Sequence, residues 1–318
     1  MKNICVFGMG GIGGYLTARF AAARNAEPDS IFITGIARGE SLKAIKEKGL
    51  CFRNTDGQEN FFHPDLITDA SGSLSGNALG EQDIIFLCVK GYDLAVACAA
   101  ISPVVRPKTV IVPLLNGIDI CGRIRTVISS GIVLPACIYI SALPLGPGHI
   151  AHAGGKGNII AGNESGQEYD PAPLVSLMAK AGIPFDWQAD PFPALWTKYL
   201  FIASYGLVTA MSGKSFGQIL ETPELSAAVQ NIIKEIYAIA EAKGASGAKL
   251  PDSVITSSFE NARNFPYEAT TSFARDVQIP GKPNESELFG GTILRLAGEL
   301  GIPTPAVKAA HDSIMKKC

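Results

Sequence analysis

A chain of 318 residues and 33.4 kDa is too long for one small core and suits one large domain or two ordinary ones. Hydrophobic residues make up 47% and charged residues 18%, enough to bury a large interior, which excludes an intrinsically disordered chain. With 27 basic and 29 acidic side chains the formal charge is −2, so there is no global field for nucleic acid or an anionic membrane, and neither is expected as a partner.

The first residues, MKNICVFGMGGIGGYLTARFAAA, mimic a secretory leader. Five glycines between Gly8 and Gly14, with Arg19 inside the run, argue against an apolar signal helix. No later segment offers the ~18 uncharged apolar residues of a bilayer span, so a soluble, cytoplasmic protein is expected. The seven cysteines (5, 51, 88, 98, 121, 137, 318) are scattered and form no CxxC pair, which favours reduced thiols over disulfides or a zinc site.

In chain order, Asn3–Phe7 reads as a strand, Gly11–Arg24 as a helix, Ser30–Gly35 as a strand and Gly39–Lys48 as a charged helix. Thr55-Asp56-Gly57 marks a hairpin between Leu50–Arg53 and Asn60–Phe62. Asp83–Val89 and Thr109–Val112 read as buried strands, with helices at Asp93–Ile101 and Ile118–Ile128 and an extended Ile132–Ile140. This alternation implies a parallel sheet with helices on both faces, an edge hairpin at Pro147–Gly162 and a last helix at Leu174–Ala181. Beyond Asp190-Pro191-Phe192-Pro193 strand signals vanish. Helices are expected at Trp196–Met211, apolar nearly all round, from Thr222 to Gly244, and at Pro251–Asn264, Thr270–Gln278, Asn284–Leu300 and Thr304–Lys317. The expectation is an α/β domain over 1–189 followed by an all-helical domain over 190–318.

Gly8-Met9-Gly10-Gly11-Ile12-Gly13 is GxGxxG placed after a strand and opening a helix. Such glycines allow a tight turn, approach of backbone amides to a pyrophosphate, and close packing of helix on strand. At the end of the second strand, where an acid usually binds the ribose of NAD, the chain has Gly35-Ile36-Ala37-Arg38-Gly39. An arginine pairs bidentately with a 2′-phosphate, so NADP(H) is the expected cofactor; the alternative is a solvated loop charge.

Lys90 and Asn116 follow strand ends, where ligands sit in such sheets, though a helix-start lysine and an Asn-Gly turn are equally ordinary readings. Lys198 is the only charge on an apolar helix: it either snorkels to solvent or faces a cleft, where it could protonate a carbonyl oxygen as hydride arrives at carbon. Thr271-Ser272 and Glu285 flank a Pro/Gly-rich turn: the hydroxyls could bind a substrate carboxylate and Glu285 could orient the lysine, or both serve as helix caps. His149 and His152 form HxxH outside a helix, and no metal is expected.

Taken together, GMGGIGG, Arg38-Gly39, VKGYD, LLNG, LWTK, TSFARD and KPNESE, in this order and rough spacing, make the chain resemble the ketopantoate reductase (2-dehydropantoate 2-reductase) family over nearly its whole length. The resemblance implies a Rossmann-type domain joined to a helical catalytic domain, an active site in the cleft between them, and NADPH-dependent reduction of 2-dehydropantoate to (R)-pantoate in pantothenate synthesis. It makes Lys198 the proton donor and substrate contact, puts Asn116 against cofactor and substrate, and Ser272 against substrate. Lys90, Glu285 and Ala142 would lie by the cofactor. Two departures stand out: Ile202 and Gly206 occupy positions where the family usually carries asparagines, changing the pocket from polar to greasy. The segment from Asp276 to Glu285 is also one residue longer than usual. A reductase of another 2-oxo acid, an opine-type dehydrogenase and a decayed NADP(H) sensor therefore stand as alternatives, and a homodimer is left open.

Overall fold

The computed structural model describes residues 1–69, 80–164, 166–244, 250–251 and 253–317. The chain divides into two compact units, one of residues 1–115 and 120–191, the other of 116–119 and 192–318.

In chain order the first unit contains β1 (Lys2–Phe7), α1 (Gly11–Ala26), β2 (Ile31–Ile36), α2 (Gly39–Lys48), β3 (Leu50–Arg53), β4 (Glu59–Phe62), β5 (Leu66–Thr68), β6 (Ile84–Leu87) and α3 (Leu94–Ile101). It continues with β7 (Val110–Pro113), α4 (Ile120–Arg125), β8 (Ile132–Val133), β9 (Ala136–Gly146), β10 (His149–Gly162), α5 (Ala172–Lys180) and β11 (Phe185–Gln188). Six strands form a sheet in the order β5-β2-β1-β6-β7-β8, all pairs parallel. The order reverses direction at β1, which leaves a crevice beyond the carboxyl ends of β1 and β6, as in doubly wound sheets. The apolar runs on these strands are the signature of a sheet covered on both faces: Ile4, Ile33, Ile85, Phe86, Ile111 and Val112 are wholly buried.

What covers one of those faces differs from the expectation. α1 packs on β1 and β2 and also on β3, β4, β9 and β10, which belong to a second sheet of order β11-β10-β3-β4, with β9 on β10. The Pro147–Gly162 region is thus the long β9–β10 hairpin, with β10 central: it pairs β9 antiparallel and β3 and β11 parallel. The expected single extension Ile132–Ile140 is split at Leu134-Pro135, β8 closing the first sheet and β9 opening the second. Phe20 of α1 meets Phe86 of β6 with ring centroids 5.4 Å apart, and truncating either to alanine would cost about 3–5 kcal/mol.

The second unit is helical: α6 (Phe192–Ser212), α7 (Phe216–Glu221), α8 (Pro223–Ala242), α9 (Val254–Arg263), α10 (Ser272–Val277), α11 (Thr292–Leu300) and α12 (Pro305–Met315). α6 is the axis, buried around much of its circumference and packed by α8, α10 and α12. It ends at Gly213 (φ +71), and Lys317 Nζ donates to the last carbonyls, those of Ala210 (3.3 Å) and Met211 (2.5 Å), where the helix dipole favours a cation. The expected Asn284–Leu300 helix instead opens with a π-helical turn, Glu287–Gly291. Among the described residues no helix is long and apolar enough to cross a membrane.

Cys5, Cys51, Cys98 and Cys137 are buried thiols; Cys318 lies outside the described residues. Burial raises Cys5 and Cys121 to about 12 and Cys98 to about 11, from an ordinary 9.0. A thiol held protonated by the fold contributes fully below its unfolded pKa and loses that contribution as pH rises toward the folded value. Denaturant midpoints should therefore be level up to pH 9.0 and fall between there and pH 11; a level midpoint across that window would contradict the burial of these thiols.

Candidate functional site

The GxGxxG turn can be read atom by atom. Gly8 has φ +98, and a Cβ there would lie 2.7 Å from the Cys88 carbonyl oxygen, so β1 and the end of β6 approach as closely as backbones can. A Cβ on Gly13 would overlap the carbonyl oxygen of Gly8, and one on Gly11 that of Ala142 on β9. Gly10 is different: no protein atom lies within 4 Å of where its Cβ would be. It is the N-cap of α1, without a side-chain cap, so the first N–H groups of α1 are available to an anion. Beside it lies a cavity of about 410 Å³, lined by Gly8, Met9, Gly10, Arg38 and Lys90 among others, at the carboxyl ends of β1, β2 and β6. These residues fit the pyrophosphate and adenosine end of a dinucleotide. Gly11, Ile12, Gly13 and Ala142 do not line the cavity, and Met9 lines it while its sulfur accepts from Thr17 Oγ1 at 3.4 Å. Pro144 and Gly146 of β9 and Ile150 of β10 also line it; the sequence shows the hairpin but not that it comes to the nucleotide cavity.

Arg38, the N-cap of α2, is exposed but paired. Its Nη2 donates to Asp93 Oδ2 at 2.6 Å and its Nη1 lies 3.5 Å from Oδ1. Asp93 closes a short 3₁₀ turn, Gly91–Asp93, that follows Lys90. This partner was read from sequence only as the start of a helix.

In the helical unit Lys198 is half-buried on α6, and its Nζ donates to Asn116 Oδ1 at 3.2 Å. Asp119, three residues on, accepts from Arg295 Nη2 of α11 at 2.6 Å. These two bonds explain why residues 116–119 cluster with the helices and why α4 starts only at Ile120 rather than at Ile118. Since an ammonium only donates, the contact fixes Asn116 with its oxygen toward Lys198 and its NH₂ turned elsewhere.

One and two turns beyond Lys198 stand Ile202, half-buried, and Gly206, buried, where a Cβ would meet only the Phe273 ring at 3.6 Å. Thr271, rather than Ser272, caps α10: its Oγ1 accepts from Ala274 N at 3.1 Å and lies 2.8 Å from Thr209 Oγ1 of α6. Ser272 is exposed at the first position of that helix. Glu285 is buried just before the π-helical turn, its carbonyl accepting from Phe289 N at 3.0 Å, and Asn284 rather than Glu285 supplies the side-chain acceptor, to Ser286 N at 3.0 Å.

His149 and His152 go separate ways on β10. His152 Nε2 is 2.7 Å from the Gly155 carbonyl. His149 Nε2 is 3.0 Å from Glu59 Oε1, with Cys51 opposite His149 on β3, and ligand atoms of the three lie within 4.8 Å of one another. Arg53 already holds the Glu59 carboxylate, with two bonds of 2.8 and 2.6 Å, and keeps its pKa low.

Residues 4–166 match the family model described as Ketopantoate reductase PanE/ApbA, and residues 192–317 its C-terminal model. A 2-dehydropantoate 2-reductase of Mesorhizobium japonicum is 26% identical, over 96% of this chain and 95% of its own length. The crystal structure of 2-dehydropantoate 2-reductase from Porphyromonas gingivalis W83 is 28% identical, covers 99% of both chains and has a TM-score of 0.81. The ternary structure of D-mandelate dehydrogenase with NADH and anilino(oxo)acetate reaches a TM-score of 0.85 over 99% of this chain and 98% of that one, but at 18% identity it is a likeness of fold.

The glycines make a paired test. Gly10→Ala meets no protein atom, so its melting temperature should stay within about 2 °C of the parent while dinucleotide affinity falls at least about tenfold, the methyl taking space kept for the ligand. Gly13→Ala should instead lower the melting temperature by several degrees, about 1–3 kcal/mol of overpacking, as well as affinity. Differential scanning fluorimetry with and without dinucleotide separates the two; a Gly10→Ala protein that binds normally would remove the anion-site reading.

Proposed function

The chain belongs to the ketopantoate reductase family, an oxidoreductase using a nicotinamide dinucleotide, and on that premise we propose that it reduces a 2-oxo acid with NADPH, 2-dehydropantoate to (R)-pantoate in pantothenate synthesis being the first candidate. The observation that carries this reading is the 3.2 Å bond between Lys198 Nζ and Asn116 Oδ1: one ammonium on an otherwise apolar helix, aimed by an amide.

When bound in the cavity beside Gly8, Met9 and Gly10, a nicotinamide dinucleotide would supply hydride for C2 of the oxo acid. Lys198 supplies the proton: as the C2 carbonyl gains negative charge, Nζ–H donates to its oxygen, giving a 2-hydroxy acid and a neutral amine that regains a proton from solvent. Asn116 holds the ammonium from one side and turns its own NH₂ donors toward substrate or carboxamide. Ser272, exposed at the start of α10, binds the substrate carboxylate. On this reading Lys90, Glu285 and Ala142 contact the cofactor; Lys90 lines the cavity, and the Ala142 carbonyl abuts Gly11 of the glycine turn. Arg38 supports NADPH over NADH, as the residue of the nucleotide cavity that matches a 2′-phosphate.

Ile202 and Gly206 favour a second reading of the substrate. Lacking amide donors on that face, α6 offers an alkyl group and a bare backbone to whatever is attached at C2, which suits an apolar or aromatic 2-oxo acid better than a hydroxylated one. The D-mandelate dehydrogenase of like fold, solved with anilino(oxo)acetate, is in keeping with it.

Lys198→Ala should lower kcat by about 10²–10⁴-fold while leaving coenzyme affinity within about twofold, measured by NADPH oxidation and by direct titration. Undiminished turnover would remove Lys198 from its role. On a panel of 2-oxo acids, Ile202→Asn should raise kcat/KM for 2-dehydropantoate relative to an aryl 2-oxo acid by about tenfold or more. An unchanged ratio would detach Ile202 from substrate choice.

A further inference from the structure

We propose that Asp93 sets the coenzyme selectivity of this chain, by occupying the guanidinium fork of Arg38 that a 2′-phosphate would use; the proposal rests on reading Arg38 as the residue facing that phosphate. Both side chains line the cavity beside the glycine turn. They meet through Nη2–Oδ2 at 2.6 Å, with Nη1 and Oδ1 at 3.5 Å, a near-bidentate pair across 55 residues of sequence.

The helix behind Asp93 shows what this contact displaces. Asp93 stands at the N-cap of α3, where an aspartate ordinarily accepts from the N–H groups of the first turn, yet its carboxylate makes no cap there and is turned to Arg38 instead. Arg38 is likewise the N-cap residue of α2, with its side chain 68% exposed and that of Asp93 25% exposed. The fork is thus held at the mouth of the cavity by a carboxylate that is itself largely covered.

For a ligand phosphorylated at the 2′ position the pair has two consequences. The donors it needs are already satisfied, and the carboxylate repels it at short range. For a ligand with free ribose hydroxyls the same carboxylate is an acceptor, as an acid at a neighbouring place is in NAD-binding folds. Discrimination between NADPH and NADH is therefore shallow, the cation favouring one and the anion the other.

The test uses the full chain with adenosine 2′,5′-bisphosphate and adenosine 5′-monophosphate as probes, which makes it independent of the oxo acid. By calorimetric titration, Asp93→Asn should tighten the bisphosphate by about fivefold or more and leave or weaken the monophosphate, since one like charge is removed from a partly screened site. Asp93→Ser, which keeps a helix-starting hydroxyl, should do the same, and monophosphate binding reports that each variant is folded. Arg38→Ala should weaken the bisphosphate selectively. If Arg38→Ala does so but neither Asp93 variant tightens the bisphosphate, the role given to Asp93 is wrong and the NADPH reading stands. If Arg38→Ala leaves the bisphosphate unchanged, the NADPH reading falls, and the Asp93 proposal with it.

Discussion

The first unit is organised by one steric constraint: α1 must begin where β1 ends, with its backbone against the carbonyl oxygens of Gly8 and Ala142. Only hydrogen at positions 11 and 13 permits this. The same closeness brings the N-terminus of a 16-residue helix to the carboxyl ends of parallel strands, so the anion site follows from the packing rather than being added to it. Gly8 and Gly13 serve the fold, while Gly10 is the residue whose missing side chain serves a ligand. α1 also carries the second sheet, since β3, β4, β9 and β10 pack on it as β1 and β2 do. A single helix therefore both starts beside the nucleotide cavity, at its N-cap Gly10, and forms part of the core of the unit.

The helical unit follows a different logic. α6 is nearly a core helix, and a cation on such a helix is costly unless something polar receives it. Asn116 does so for Lys198, and its loop is held in turn by Asp119 on Arg295. The neighbouring positions are the opposite: at Ile202 and Gly206 the same face of the helix carries no hydrogen-bonding side chain. Charge on α6 is confined to Lys198, which suits chemistry at a single oxygen more than recognition of a hydroxylated chain.

Much of this was legible in the sequence because it is local. The glycine turn, the periodic helices and the isolated Lys198 are stated by residues within a few positions of one another. Of the second sheet the local hairpin β3–β4 was legible, from Thr55-Asp56-Gly57, but its assembly was not, because the remaining pairings are distant: Cys51 faces His149 and Ile159 faces Phe185, and alternation within a strand does not name its partner. β11 (FDWQ) is short and half polar, with little to distinguish it from a loop. α7 was missed although its signal was present, a capping box made by Ser215 and Gln218. Asp93 shows the limit most clearly. At a helix start an aspartate reads as a cap, and only the fold shows its carboxylate on Arg38 instead.

Residues 116–119 have a consequence for dissecting the protein. The chain leaves the α/β unit after Leu115, contributes four residues to the helical unit, and returns at Ile120, so the boundary is crossed three times rather than once. A fragment starting at Phe192 would carry Lys198 and Arg295 without the amide and carboxylate that receive them. The helical half is thus covalently incomplete when excised by a single cut, and a circularly permuted or co-expressed 116–119 segment would be needed to restore it.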